Sequence, residues 1–177
     1  MVKMNSRIYA FAALILALLA LTALSGCTTP QSDSASLQKL SALQESFGMK
    51  NAYSSNPAQM NDYISDLSAL RAKAGGNAAK IIDAEISSAQ AFYYLSLALG
   101  ASNEIDYQNV NCNSKQVSSA VEYEKLALSA SARAISLVSA LGEEELKSMR
   151  ANQLDMVKGY KASAEQIKSF IASSCGN

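Results

Sequence analysis

The chain has 177 residues, of which 49% are hydrophobic and 17% are charged, with 15 basic and 15 acidic residues and no histidine or tryptophan. A formal charge of zero offers no basic patch that would displace counterions, so we expect no nucleic-acid partner. The absence of histidine excludes Ser-His-Asp and Cys-His catalysis and histidine-ligated haem, zinc and di-iron sites. We therefore predict no cofactor and no metal. With only eight glycines and two prolines, the composition also argues against an all-β fold.

The start of the chain, up to Cys27, is ordered like a secretory signal peptide. Lys3 and Arg7 form a positive region, residues 8–24 are apolar and carry no charge, and the segment ends on Leu24-Ser25-Gly26-Cys27. This ending resembles the lipobox of prokaryotic lipoproteins. The resemblance implies that a diacylglyceryl group is attached to the sulfur of Cys27 and that residues 1–26 are removed. The alternatives for the apolar run are a buried helix and an uncleaved transmembrane anchor, for which the run is slightly short.

The lipoprotein and the membrane-anchor interpretations both place the rest of the chain outside the cytoplasm, on the periplasmic or cell-surface face. Thr28 follows Cys27 in place of aspartate, which in a Gram-negative bacterium resembles a signal for the outer membrane. Two acyl chains hold a protein stably on a membrane without a polybasic segment. Loss of Lys3 and Arg7 leaves 13 basic and 15 acidic residues, a charge near −2. We therefore predict that the protein associates with a membrane through the lipid at Cys27.

A short polar segment, residues 27–35, is predicted to be a flexible tether, and the bundle domain is predicted to occupy residues 36–177. The first helix covers about residues 36–49, and the second begins at Pro57 with Asn56 as its N-cap and Gln59 completing a capping box. Gly75 and Gly76 end the second helix. Asn77 is expected to cap a third, central helix that Gly100 closes, because its second half is apolar nearly all round.

The fourth helix, about residues 115–141, has a seven-residue repeat in which a small residue precedes a branched one. The pairs are Ala120-Val121, Ala127-Leu128 and Ala134-Ile135. Such pairs let a neighbouring helix approach closely. After Gly142, Glu143 to Glu145 suit the first turn of a fifth helix, whose seam holds Leu146, Met149, Met156, Tyr160, Ile167 and Ile171, with Gln153 as its one polar position.

Two cysteines remain once Cys27 carries lipid. Gly142 lies nearly midway between Cys112 and Cys175 along the chain, so an antiparallel pairing of the last two helices brings the two cysteines together. We predict a Cys112–Cys175 disulfide. The alternatives are two free thiols or pairing with another chain. A zinc site would need two further ligands, and the missing CxxC spacing argues against redox catalysis.

Candidate binding residues are few. Tyr93 and Tyr94 are adjacent on the central helix, and Tyr107 lies in the long stretch from Ala101 to Ser114, so they are either a recognition surface or ordinary packing. Glu124 lies on the seam of the fourth helix, where a charge must be paired or stand at the edge of the bundle. The carboxylate pairs are Asp62 with Asp66, Asp83 with Glu85, and Glu122 with Glu124; we interpret Asp62 and Asp66 as a solvated face.

The predicted architecture is an all-α antiparallel bundle of four long helices plus a short N-terminal helix. The predicted function is that of a lipid-anchored, envelope-exposed module that binds an envelope protein or polymer or serves a structural role. One alternative is a carrier of an apolar small ligand, with Phe92, Tyr93, Met149 and Met156 lining its cavity. A scaffold of tetratricopeptide type and a carboxylate-based enzyme rank lower. The repeat spacing of the former and a nucleophile-base set for the latter are both missing from the sequence.

Overall fold

The computed structural model describes residues 32–176, which form six α-helices and no strand. They are α1 Asp33–Ser46, α2 Pro57–Arg71, α3 Gly76–Asn103, α4 Lys115–Ser139, α5 Glu143–Leu146 and α6 Gln153–Cys175. The predicted all-α bundle of four long helices with a shorter one at its start is confirmed, with the four-residue α5 as an addition. The predicted signal peptide and Cys27 lie outside the described residues. No helix in residues 32–176 combines the length and apolarity needed to cross a membrane.

Helix α1 begins at Asp33, slightly earlier than predicted, so the tether cannot extend to residue 35. The Ser32 hydroxyl accepts a hydrogen bond from the Ala35 N–H (3.4 Å) and caps the helix. The Asp33 carboxylate also accepts the N–H of Asn77 (3.2 Å) at the start of α3. Gly76 adopts φ +51°, and a Cβ there would lie 2.8 Å from that carboxylate. The segment that follows the tether is therefore joined to the central helix.

The predicted cap of α2 is confirmed, but its predicted capping box and the predicted cap of α3 are wrong. The Asn56 side chain accepts from Ala58 and Gln59, and Pro57 is the first helical residue. The Gln59 amide closes no capping box, because it donates to the carbonyl of Phe47 (3.0 Å). Gly75, not Asn77, is the N-cap of α3, since the Asp33 carboxylate provides the acceptor there.

Helix α3 is the central helix, as predicted, and it contacts each of the other five helices. It continues past Gly100 to Asn103, because a glycine inside a helix weakens it without ending it. Its largest interface is with α4. The buried row of α4 advances in steps of three and four residues: Val117, Ala120, Glu124, Ala127, Ser131, Ala134 and Val138. The predicted branched partners Val121, Leu128 and Ile135 are only half-buried. The small residues, not the branched ones, thus form the seam.

The predicted fifth helix is interrupted. Residues 147–152 form turns between α5 and α6, and Asn152 adopts the left-handed conformation with φ 61°. Asparagine tolerates that conformation better than most residues. The interruption directs the Arg150 side chain into the core, where it is 6% exposed.

The structure joins Cys112 and Cys175 in a disulfide with a Cα–Cα distance of 5.6 Å, which confirms the predicted pairing. Cys112 precedes α4 and Cys175 ends α6, so the bond fastens the free end of this helix pair.

We expect replacement of both cysteines by serine to lower the free energy of unfolding by about 4 kcal/mol, because a loop of this length is no longer closed in the unfolded chain. Chemical denaturation of the oxidised protein, the double variant and the reduced wild type measures this. The double variant and the reduced wild type should have the same free energy of unfolding. Two free thiols at these positions in the oxidised protein would contradict the pairing.

Candidate functional site

The most densely connected polar cluster of the described core is a carboxylate–guanidinium pair. Glu85 on α3 is fully buried, and Arg150 reaches it from the turn between α5 and α6 with an Nη1–Oε1 distance of 2.5 Å. The pair joins two parts of the chain that are 65 residues apart. Removing two charges from water costs several kcal/mol each, so the pair is tolerable only where further hydrogen bonds satisfy both groups.

Tyrosines and a backbone carbonyl provide such contacts to Arg150 and to Glu85 Oε1, while Glu85 Oε2 has no hydrogen-bond partner among the described residues. The Tyr63 hydroxyl donates to Glu85 Oε1 (2.6 Å), and the Arg150 Nε donates to the Met49 carbonyl (2.7 Å). A second guanidinium nitrogen, Nη2, also donates to that carbonyl. Arg150 Nη1 further contacts the Tyr53 hydroxyl (3.1 Å), which accepts from the Gln153 amide (3.0 Å). Arg150 thereby connects α2, α3, α6 and the segment between α1 and α2. We call these six residues the Arg150 cluster.

Aromatic rings enclose the Arg150 cluster. The guanidinium carbon lies 4.1 Å from the centre of the Tyr53 ring, a cation–π contact. The Phe92 ring lies 5.5 Å from that of Tyr53 and 5.4 Å from that of Tyr160. Phe92 was predicted to line a ligand cavity, but these rings occupy the space around it. Met156, another predicted lining residue, is half-buried.

Burial and charge keep the protons of the Arg150 cluster in place. Burial first, and then the Glu85 charge, raise the pKa of Tyr53 and of Tyr63, and burial raises the pKa of Tyr160 to about 12. For Arg150, burial alone would lower the pKa, but the facing Tyr53 and Glu85 raise it above its ordinary value. The phenols therefore remain neutral at physiological pH: the Tyr63 hydroxyl donates to Glu85, and the Tyr53 hydroxyl accepts from Arg150 and Gln153. This chemistry suits a structural connection.

The predicted binding residues do not form one surface. Tyr93 and Tyr94 are half-buried with ring centres 5.3 Å apart, and they pack against different hydrophobic clusters. Tyr107 is 58% exposed, and its ring lies 4.9 Å from that of Phe170 near the disulfide. Glu124 is only 3% exposed, so it cannot belong to a surface with these tyrosines.

Two of the three carboxylate pairs diverge, while Asp62 and Asp66 are both exposed on α2. Asp83 forms an ion pair with Arg71 (2.9 Å) while Glu85 points into the core. Asp66 lines a groove of about 450 Å³ between α1 and α2. Glu122 is exposed, whereas Glu124 is buried and its Oε1 has no hydrogen-bond partner among the described residues.

Sequence reasoning missed the Arg150 cluster. Glu85 was considered only beside Asp83, although it lies four residues after Ile81 and four before Ala89, on an apolar face of α3. A carboxylate in that position requires a buried partner. Nothing in the local sequence around Arg150 identifies it as that partner.

We compared the chain with protein-family models, curated proteins and solved structures, and none of them matches it. We therefore infer its function from this chain alone.

We expect Arg150→Met to lower the free energy of unfolding by about 3–5 kcal/mol, because it leaves the Glu85 carboxylate buried without a counter-charge. Adding Glu85→Leu should restore part of the loss. Arg71→Met is the matched control: its pair with Asp83 is partly exposed, and such pairs contribute at most about 1 kcal/mol. Equal losses in the two single variants, measured by urea denaturation, would contradict the assignment.

We expect Glu124→Gln to stabilise the protein at neutral pH, and more so at pH 8 than at pH 4. Burial raises the pKa of Glu124 above its ordinary value, while Lys168 and Lys125 lower it only in part. The folded state therefore binds this proton more tightly than the unfolded chain, and stability falls as pH rises from the ordinary carboxyl range through the raised pKa. Thermal unfolding from pH 4 to pH 8 tests this. A pH-independent difference between variant and wild type would refute it, and Glu122→Gln on the exposed face should show little effect.

Proposed function

We propose that the protein is a lipid-anchored envelope protein, held at the membrane by Cys27, whose helical bundle binds an envelope protein or polymer. The observation that carries the proposal is the lipobox Leu24-Ser25-Gly26-Cys27 behind a positive region and an apolar run. The Cys112–Cys175 disulfide supports it, because stable disulfides are typical of compartments outside the cytoplasm.

The core supports a rigid module over a carrier of an apolar ligand. A carrier needs an apolar cavity between its helices, and the predicted cavity position holds Phe92 packed between Tyr53 and Tyr160. Next to Phe92, the Arg150 cluster connects four parts of the bundle, namely α2, α3, α6 and the segment between α1 and α2. A bundle with fixed helix faces suits binding at its outer surface.

The connectivity of the bundle favours one end as the binding end. The tether joins the bundle at Asp33, beside the start of α3. Helix α3 has 28 residues, which corresponds to about 42 Å, and the segment with Tyr107 follows its other end. Tyr107 is the most exposed large hydrophobic residue of the described chain. In an anchored protein this end is the one remote from the tether and accessible to a partner.

Cys27→Ala is expected to abolish lipid attachment and to leave a precursor that still carries the signal peptide. Metabolic labelling with an alkyne fatty acid, together with detergent phase partitioning and intact-protein mass spectrometry, measures both effects. The variant without Cys112 and Cys175 is the control and should retain the lipid. Labelling of the Cys27→Ala chain, or an unlabelled wild type, would contradict the anchor.

The binding role is tested separately in cells that produce the anchored protein. A photo-crosslinking residue in place of Tyr107 should give a discrete adduct, and the same residue in place of the exposed Lys73, near the tether end, should not. The adduct should disappear when Cys27→Ala is added. Equal adducts at both positions, or none at Tyr107, would contradict binding through this end.

A further inference from the structure

A cavity of about 290 Å³ between α4 and α6 is lined by a second buried carboxylate, Glu124, whose Oε1 has no hydrogen-bond partner among the described residues. Its lining residues are Val121, Glu124, Lys125, Lys168, Ile171 and Ala172. This volume is at the lower end of ligand pockets and fits a molecule of metabolite size. The cavity is distinct from the Arg150 cluster and shares no residue with it.

Because of Glu124, a ligand of this cavity must supply a hydrogen-bond donor. Its side chain is nine-tenths or more buried, and Oε1 accepts no hydrogen bond from any described residue. An unsatisfied buried acceptor destabilises the fold, and more so when it is charged. A ligand that donates a hydrogen bond to the Glu124 carboxylate recovers part of that cost, and an ammonium group is the strongest such donor.

Because of two lysines at the same cavity, the ligand must also carry an anionic group. Lys125 and Lys168 are exposed, and neither forms an ion pair in the described part of the chain. With one carboxylate and two ammonium groups, the lining has a net positive charge. A ligand that is only a cation meets two like charges, whereas one that is only an anion meets the carboxylate. A ligand with both an ammonium and an anionic group satisfies all three.

We propose that this cavity binds a small zwitterion whose ammonium group donates to Glu124, whose anionic group contacts Lys125 and Lys168, and whose apolar part packs against Val121 and Ile171. An aliphatic amino acid has this chemistry. The headgroup of an ethanolamine phospholipid shares the ammonium and the anion but lacks the short apolar chain.

Three probes of similar shape separate the demands. Isothermal titration calorimetry of the protein purified from membranes in detergent compares L-leucine with isopentylamine, which lacks the carboxylate, and 4-methylpentanoate, which lacks the ammonium. We expect leucine to bind saturably at millimolar concentration. Each of the other two compounds should bind at least about tenfold more weakly than leucine, because each loses one charged hydrogen bond. No saturable binding of leucine, or equal binding of either partial analogue, would overturn the proposal.

Two variants connect the binding to this cavity. Glu124→Gln removes the charge at constant volume, and Ala172→Leu fills the cavity while Glu124 remains. Each should weaken leucine binding about tenfold or more, and the matched control Glu122→Gln should leave it unchanged. Unchanged circular dichroism shows that each variant is folded. Leucine binding that survives both substitutions would place it elsewhere and overturn the assignment.

A fourth probe, glycerophosphoethanolamine, distinguishes the two sources of the zwitterion. Weaker binding than leucine assigns the site to an amino acid, and tighter binding assigns it to a lipid headgroup. Either result, combined with loss in Glu124→Gln, supports a zwitterion site.

Discussion

The Glu85–Arg150 pair is the interaction on which the rest of the bundle depends. Both groups are removed from water, so neither is tolerable without the other. Arg150 satisfies its remaining donors with the Met49 carbonyl and the Tyr53 hydroxyl, which lie in the connection between α1 and α2. A single side chain thereby fixes that connection, the interruption before α6 and the first half of α3. A well-packed apolar substitute for the pair can be as stable, but it would not specify these connections by directional hydrogen bonds.

The two ends of the bundle are fixed by different means. At one end, the Asp33 carboxylate accepts the Asn77 N–H at the start of α3, where negative charge is favoured by the helix dipole. At the other end, the Cys112–Cys175 disulfide joins the start of α4 to the end of α6. Between them, the buried row of α4 holds small residues such as Ala120, Ala127 and Ala134, which permit close approach of the neighbouring helices. Such a frame leaves its outer faces and the Glu124 cavity available for recognition, which is the role proposed for an anchored module.

The fold class, the central position of α3, the cap at Asn56 and the disulfide were all predictable, because each depends on local pattern or on simple counting along the chain. The buried row of α4 could not be chosen from the sequence, since Ala120 and Val121 both repeat every seven residues and only packing decides between them. The Arg150 cluster was not predictable. Helical spacing continues across residues 143–171, so nothing local indicated that the chain would break at 147–152 and send Arg150 towards a carboxylate 65 residues away. The sequence places Glu85 on an apolar face of α3, but only the tertiary structure determines which residue pairs with it. Likewise, the sequence shows that Glu124 places a charge on the seam of α4. The cavity beside it could not be predicted, because it results from the packing of α4 against α6.

Hydrogen exchange of wild type and Arg150→Lys tests the central role of this arginine most directly. Lysine keeps the positive charge but lacks the planar fork that contacts Met49, Tyr53 and Glu85 together. The expected result is faster exchange in residues 47–56 and 147–153, with α4 and α6 still protected near the disulfide. Exchange that is unchanged in those two segments, or that rises uniformly throughout residues 32–176, would contradict the claim that Arg150 holds these connections in place.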